Sequence, residues 1–212
     1  MRILIVDDDS VSTELISSLL VKSGLAEAIF PGLSSKQAKL AIRVLSQLRE
    51  RIDFALALAG FFAGYESEPA LDKLKILKLS RNTNRHIKFL LVNRGKLLNE
   101  KMSLAELKMI VGEPYFSDLY ELQRAIQKAE RKSVTSLVTL RKRIKALGDV
   151  ELRPKPLLDG HTLIRLGAAP GPEVGQLAQE MYIAQLEEKL QRKEQAKQWV
   201  QKWLQKHKMI EK

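Results

Sequence analysis

Proline fixes φ and gives up its N–H, so the run Pro170-Gly171-Pro172 interrupts any helix that reaches it and divides the segment around it in two. Upstream, Asp159 is suited to cap a short helix through about Leu166, and Gly167 tolerates the positive φ of a residue that closes a helix. Downstream, Pro172 fits a first helical position, where its missing N–H has no intrahelical partner, and a helix is predicted to start at Pro172 or Glu173. Two helices joined by a glycine-rich turn result. The free N–H groups and positive dipole end of the second helix suit a phosphate, and neither Gly171 nor Gly175 has a side chain to hold its backbone away. A corner that only packs uses the same residues, so both readings stand.

The rest of the chain reads as capped helices behind a short strand. Arg2 to Asp9 is a β-branched run that empties into three carboxylates, and Ser10 or Ser12 can cap a helix ending at Gly24. A helix is predicted from Lys36 to about Arg51, then a central buried one from Ile52 to about Phe62, apolar on all sides. Further helices are predicted over Leu71 to Leu79 and, capped by Ser80, over Arg81 to about Arg94. Ser103-Leu-Ala-Glu106 is a capping box, Ser117 is the expected next cap, and Thr135 to Leu147 precedes Gly148. Arg153-Pro-Lys-Pro156 reads as an extended linker. The last helices place Leu177, Met181, Ala184 and Leu190, then Ala196, Trp199, Val200, Trp203 and Leu204, on apolar stripes, with core packing expected for both tryptophans.

Charge narrows the function classes. The 212 residues carry a net charge of +11, yet residues 1–60 hold seven basic and seven acidic residues, so all the excess lies in residues 61–212. An excess placed on one part of a chain favours a polyanionic partner such as nucleic acid. On the predicted helix after Thr135, Arg141, Lys142, Arg143 and Lys145 form one cationic face that either contacts phosphates or is merely solvated. There are no cysteines, which excludes disulfides and thiolate metal sites. No apolar run is long enough to span a bilayer and the first residues do not resemble a signal peptide, so a cytoplasmic protein with no membrane partner is expected.

From Pro156, the pattern Pro-Leu-Leu-Asp-Gly-His-x-Leu-Ile-x-Leu-Gly-x-x-Pro-Gly-Pro-x-Val-Gly, then Ala184-Gln185-Leu186-Glu187, Lys193-Glu194-Gln195-Ala196 and Trp199-Val200, resembles the C-terminal end of bacterial class II tRNA nucleotidyltransferases (CCA-adding enzymes) and poly(A) polymerases. The resemblance extends upstream, more weakly, to about Arg43 and includes Leu77-Lys-Leu-Ser80. It implies a helical body and tail that bind tRNA or other structured RNA. Such enzymes also carry an N-terminal catalytic head with a Gly-Ser motif and paired metal-binding aspartates, which has no counterpart here. The resemblance therefore implies no catalytic residues, no nucleotide addition by this chain alone, and Mg²⁺ only through a separate nucleotidyltransferase head. Where family members often place a metal-binding His-Asp pair, Phe61-Phe62 are followed by Ala63-Gly64, which cannot ligate a metal. His86, His161 and His207 stand at spacings that suggest no ligand cluster, so no metal site is expected. The first 24 or so residues resemble the opening of a response-regulator receiver, but the run Asp53 to Ala59 has its aspartate at the wrong end for a phosphoacceptor.

These readings combine into a mainly α fold with a short N-terminal strand and helix: a receiver-like segment over residues 1–32, a helical body with a degenerate His-Asp segment over 33–150, and a helical tail over 151–212. The expected function is RNA binding, with Arg141, Lys142, Arg143, Lys145, Lys155, Arg165, Gly171 and Gly175 as the contact residues. The alternatives are a signalling adaptor with a truncated receiver front and a helical protein-interaction scaffold.

Overall fold

Phe54-Ala-Leu-Ala-Leu-Ala-Gly-Phe61 has no polar side, and a helix of that composition is stable only when surrounded. The computed structural model, which describes residues 11–12 and 35–210, buries every residue of this helix after Phe54. The fold is mainly α, with ten α-helices among the described residues and a single two-residue antiparallel pairing, β1 (Val11–Ser12) with β2 (Arg51–Ile52). The acidic triplet Asp7 to Asp9 and the helix expected to end at Gly24 lie outside the described residues. Ser12, one of two expected caps, belongs to β1.

The chain forms two compact units. The first takes the residues up to Glu100 and Pro114–Lys145; the second takes Lys101–Glu113 and the residues from Ala146 on. The expected division at residue 150 thus falls five residues earlier, at the end of a helix, and residues 101–113 belong with the tail.

In the first unit, α1 (Ser35–Leu45), α2 (Phe54–Phe61), α4 (Arg81–Asn93) and α6 (Phe116–Ala129) surround one core, with α3 (Ser67–Leu74) against α4. Val44, Leu45, Leu56, Phe62, Leu90, Leu91, Leu119 and Leu122 are fully buried in it. Gly60 allows α2 to approach α1 closely, because a Cβ there would lie 3.2 Å from a Leu48 methyl and 3.3 Å from a Leu45 methyl. α1 ends well before the expected Arg51. The Ser46 hydroxyl donates to the Arg43 carbonyl at 2.9 Å, a local bond that competes with the helical ladder, and Arg49 turns to Arg51 and Asp118. α2 starts at Phe54 instead of Ile52 because Asp53 caps it, accepting the Leu56 N–H at 2.7 Å.

The helix expected over Leu71–Leu79 lies earlier, since Pro69 is tolerated in a first turn, and a 3₁₀ turn (Lys75–Leu77) follows it. Ser80 caps α4, accepting the Thr83 N–H as expected. Ser117 is not a cap: α6 begins at Phe116 directly after the Pro114 turn, so the serine sits inside the first turn. α7 (Thr135–Ala146) completes this unit up to Lys145.

In the second unit, α5 (Leu104–Val111) carries the expected capping box, with Ser103 and Glu106 satisfying each other's backbone N–H groups. Its Lys108 is only 3% exposed; the ammonium donates to the Leu186 carbonyl at 3.0 Å and to Glu188 at 2.8 Å, satisfying the end of α9 (Pro172–Leu186). α8 (Gly160–Arg165) is capped by Asp159, and Gly167 at φ 106° closes it as expected, with the Ala168 N–H bonded to the Leu163 carbonyl and the Gly167 N–H to that of Ile164. Leu158, Leu163, Leu177, Met181, Val200, Trp203 and Leu204 join α8, α9 and α10 (Lys193–Ile210) in one core. Both tryptophans pack there, Trp203 buried and Trp199 in part. Among the described residues, no helix is long and apolar enough to cross a membrane.

Candidate nucleic-acid interface and a buried imidazole between carboxylates

The first unit divides its charge unevenly between an interior cluster and two outer faces. Residues 73–96 contain eight lysines and arginines and no carboxylate, and residues 131–145 contain six and none. On α4, Arg81, Arg85 and Lys88 are exposed at i, i+4 and i+7, so they line one side of the helix while His86, Ile87, Leu90 and Leu91 face the core. Lys78, just before the helix, is exposed beside them. On α7, Arg141, Lys142 and Lys145 are exposed. Arg141 lies over the Tyr120 ring at 4.8 Å, and Arg143 turns back to donate to the Glu100 carbonyl. Of the four cations expected on this helix, Lys142 and Lys145 are therefore the ones whose charge is directed to solvent. The α4 stripe was missed in the sequence, although the absence of acid over 24 residues was visible there; its helical register was the clue.

The other four expected contact residues lie in the second unit. Lys155 and Arg165 are exposed, and Arg165 donates to the Thr162 hydroxyl at 3.1 Å. Gly171 precedes α9 at φ 113° and ψ −141°, a conformation close to glycine-only, and Gly175 has open space where a Cβ would stand. The turn brings its own anion: the Glu173 carboxylate accepts the Ala169 N–H at 2.6 Å and places negative charge in the first turn of α9. That charge repels a phosphate, so the N-terminus of α9 is a weaker anion site than its glycines suggest. Because Gly171 cannot accept a side chain without strain, no substitution there separates phosphate binding from folding.

The interior cluster joins three elements of the first unit. Asp53 caps α2, His86 sits in the second turn of α4, and Asp118 sits in the first turn of α6. His86 is 7% exposed, with Nδ1 3.3 Å from Asp53 Oδ2 and Nε2 3.2 Å from Asp118 Oδ2. Tyr115 stacks on the imidazole at 4.1 Å between ring centres, and the Arg49 guanidinium reaches Asp118 Oδ1 at 2.6 Å. Burial pushes the Asp53 carboxyl up from its ordinary range, helped by the Asp118 charge. Burial acts on Asp118 in the same sense, but the adjacent His86 imidazole and the charge of Arg49 outweigh it and hold that carboxyl below its ordinary value. Sequence spacing did not reveal this group, since Asp53, His86 and Asp118 are more than 30 residues apart and only helix packing brings them together. The Ala63-Gly64 position is separate from it and lies in a 3₁₀ turn, Phe62–Gly64. No protein-family model, no curated protein and no solved structure matches this chain.

Proposed function

We propose that the first unit is an RNA-binding helical body that contacts the phosphates of tRNA or another structured RNA through the exposed cations of α4 and α7. One observation carries the reading: Arg81, Arg85 and Lys88 form an exposed cationic row inside a 24-residue stretch that holds eight basic residues and no carboxylate. Unpaired surface charge of one sign raises self-repulsion, and a polyanion that releases condensed counterions relieves it. α7 supports the reading with Lys142 and Lys145, and its sequence contains no aromatic side chain on which a base would stack. Contacts of this kind position a nucleic acid without reading its bases. The choice of RNA, and of tRNA in particular, rests on the resemblance of the second unit's sequence to nucleotidyltransferase tails. On the same ground, any nucleotide addition belongs to a separate catalytic head with its own metal ions, and this chain supplies the grip.

The test is a fluorescence-anisotropy titration of labelled tRNA with the full chain, in parallel with heparin as an unstructured polyanion. Binding of tRNA that heparin displaces only in excess supports the reading. Binding of heparin alone, or no binding at low salt, refutes it.

A further inference from the structure

We infer that Asp53, His86 and Asp118 form a binding site for one divalent first-row transition-metal ion inside the first unit. The inference is independent of the RNA reading and lies away from the Ala63-Gly64 position where a metal was expected to be lost.

The second oxygen of each carboxylate is already occupied by a neighbour that fixes the group. Asp53 Oδ1 accepts the Leu56 N–H at 2.7 Å, and Asp118 Oδ1 accepts Arg49 at 2.6 Å. That leaves both Oδ2 atoms directed at His86. Tyr115, stacked on the ring, sets the imidazole plane. Such outer groups orient ligands before an ion arrives.

His86 Nε2 is buried and makes no hydrogen bond, because the nearby Asp118 oxygen is not placed along a hydrogen-bonding direction. A buried polar atom left without a partner destabilises the fold, and an ion on its lone pair removes that cost. The separation fits shared coordination. Two ligand atoms bound at about 2.1 Å stand about 3.0 Å apart at a right angle and about 3.4 Å apart in a tetrahedron. Nε2 and Asp118 Oδ2 are 3.2 Å apart.

One ligand atom from each of the three residues lies within 4.8 Å of the others, and the Asp53 side chain, 46% exposed, marks the way in. One imidazole with two carboxylates suits Zn²⁺ or Mn²⁺ better than Mg²⁺, which prefers oxygen ligands and retained waters. The remaining coordination positions fall to water.

The experiment is calorimetric titration of the chelator-treated full chain with ZnCl₂ and, separately, MnCl₂, followed by thermal melts with and without metal. One equivalent is expected to bind and to raise the melting temperature. His86→Gln and Asp118→Asn should each weaken binding at least 10-fold, whereas His161→Ala and His207→Ala should not. Circular dichroism checks each variant for native helix content. If His86→Gln does not fold, Asp53→Asn at the half-exposed ligand supplies the same comparison. Absence of saturable binding to the wild-type chain overturns the inference, as does unchanged affinity in the folded ligand variants; either result leaves the cluster a packing contact between a buried histidine and two carboxylates.

Discussion

Truncating Trp203 should remove the keystone of the second unit. The side chain is 7% exposed, donates its indole N–H to Glu180 at 2.6 Å, and stacks on His207 at 3.6 Å between ring centres. A buried tryptophan removes about 150–250 Å² from water, which at about 25 cal/mol per Å² amounts to roughly 4–6 kcal/mol as an upper bound. Large-to-small core changes of this type cost about 3–5 kcal/mol, so Trp203→Ala should destabilise the unit by about 4 kcal/mol. Glu180 is only part-buried and can rehydrate when the donor is lost, so the hydrogen bond adds little to that figure. Trp203→Phe keeps most of the buried area and should cost about 1–2 kcal/mol. The chain has two tryptophans, both on α10, so Trp199 fluorescence reports the unfolding of this unit in each variant. Urea unfolding should show a midpoint in the order wild type, Phe, Ala, with Ala partly unfolded in buffer if the unit is of ordinary stability. An Ala variant with a wild-type midpoint would mean that Trp203 is not a core residue.

Gly175→Ala should stabilise the chain by about 0.5–1 kcal/mol in thermal melts, because α9 gains helix propensity and the new methyl meets open space; a loss of stability would show that the α9 entry is misplaced. Arg131 ends α6 in the left-handed region at φ 57°, where a side chain costs about 1–2 kcal/mol, so Arg131→Gly should gain about 0.5–1 kcal/mol after its own entropy loss. No gain by urea unfolding would place that residue elsewhere. Burial pushes the Glu121 carboxyl up, but hydrogen bonds from Arg124 and the Arg49 N–H prevail and hold it below its ordinary range. The stability it contributes is complete above the ordinary glutamate range near pH 4.3 and is lost as pH falls through the lowered value. Glu121→Gln should therefore be less stable at neutral pH and lose less on acidification; parallel stability–pH curves for the two proteins would contradict this.

The parts of the fold set by local rules were legible in the sequence. Asp159 with Gly167, Pro172 at a helix start, Ser80 and the Ser103–Glu106 box act within four or five residues, and the structure reproduces each. The all-apolar stretch after Asp53 identified the central helix because its composition excludes any exposed position. Errors arose where a distant contact overrode the local signal. α1 stops short because Arg49 is drawn to Asp118, 69 residues away, and Lys108 reads as a surface lysine until α9 delivers a carbonyl and a carboxylate to it. The Asp53–His86–Asp118 cluster has the same origin, since three helices from separate parts of the chain must pack before it exists. That residues 101–113 join the tail was missed for a related reason: α5 carries no signal of its own that it packs on α9.

The most direct test of the RNA-binding account is the salt dependence of tRNA affinity for the wild-type chain and for the Arg81→Ala/Arg85→Ala/Lys88→Ala triple variant. Each phosphate contact contributes about 0.7–0.9 to the slope of log affinity against log salt. The account expects the triple variant to keep its helix content, bind more weakly, and show a slope shallower by about 2–3. A folded triple variant with wild-type affinity and an unchanged slope would contradict it.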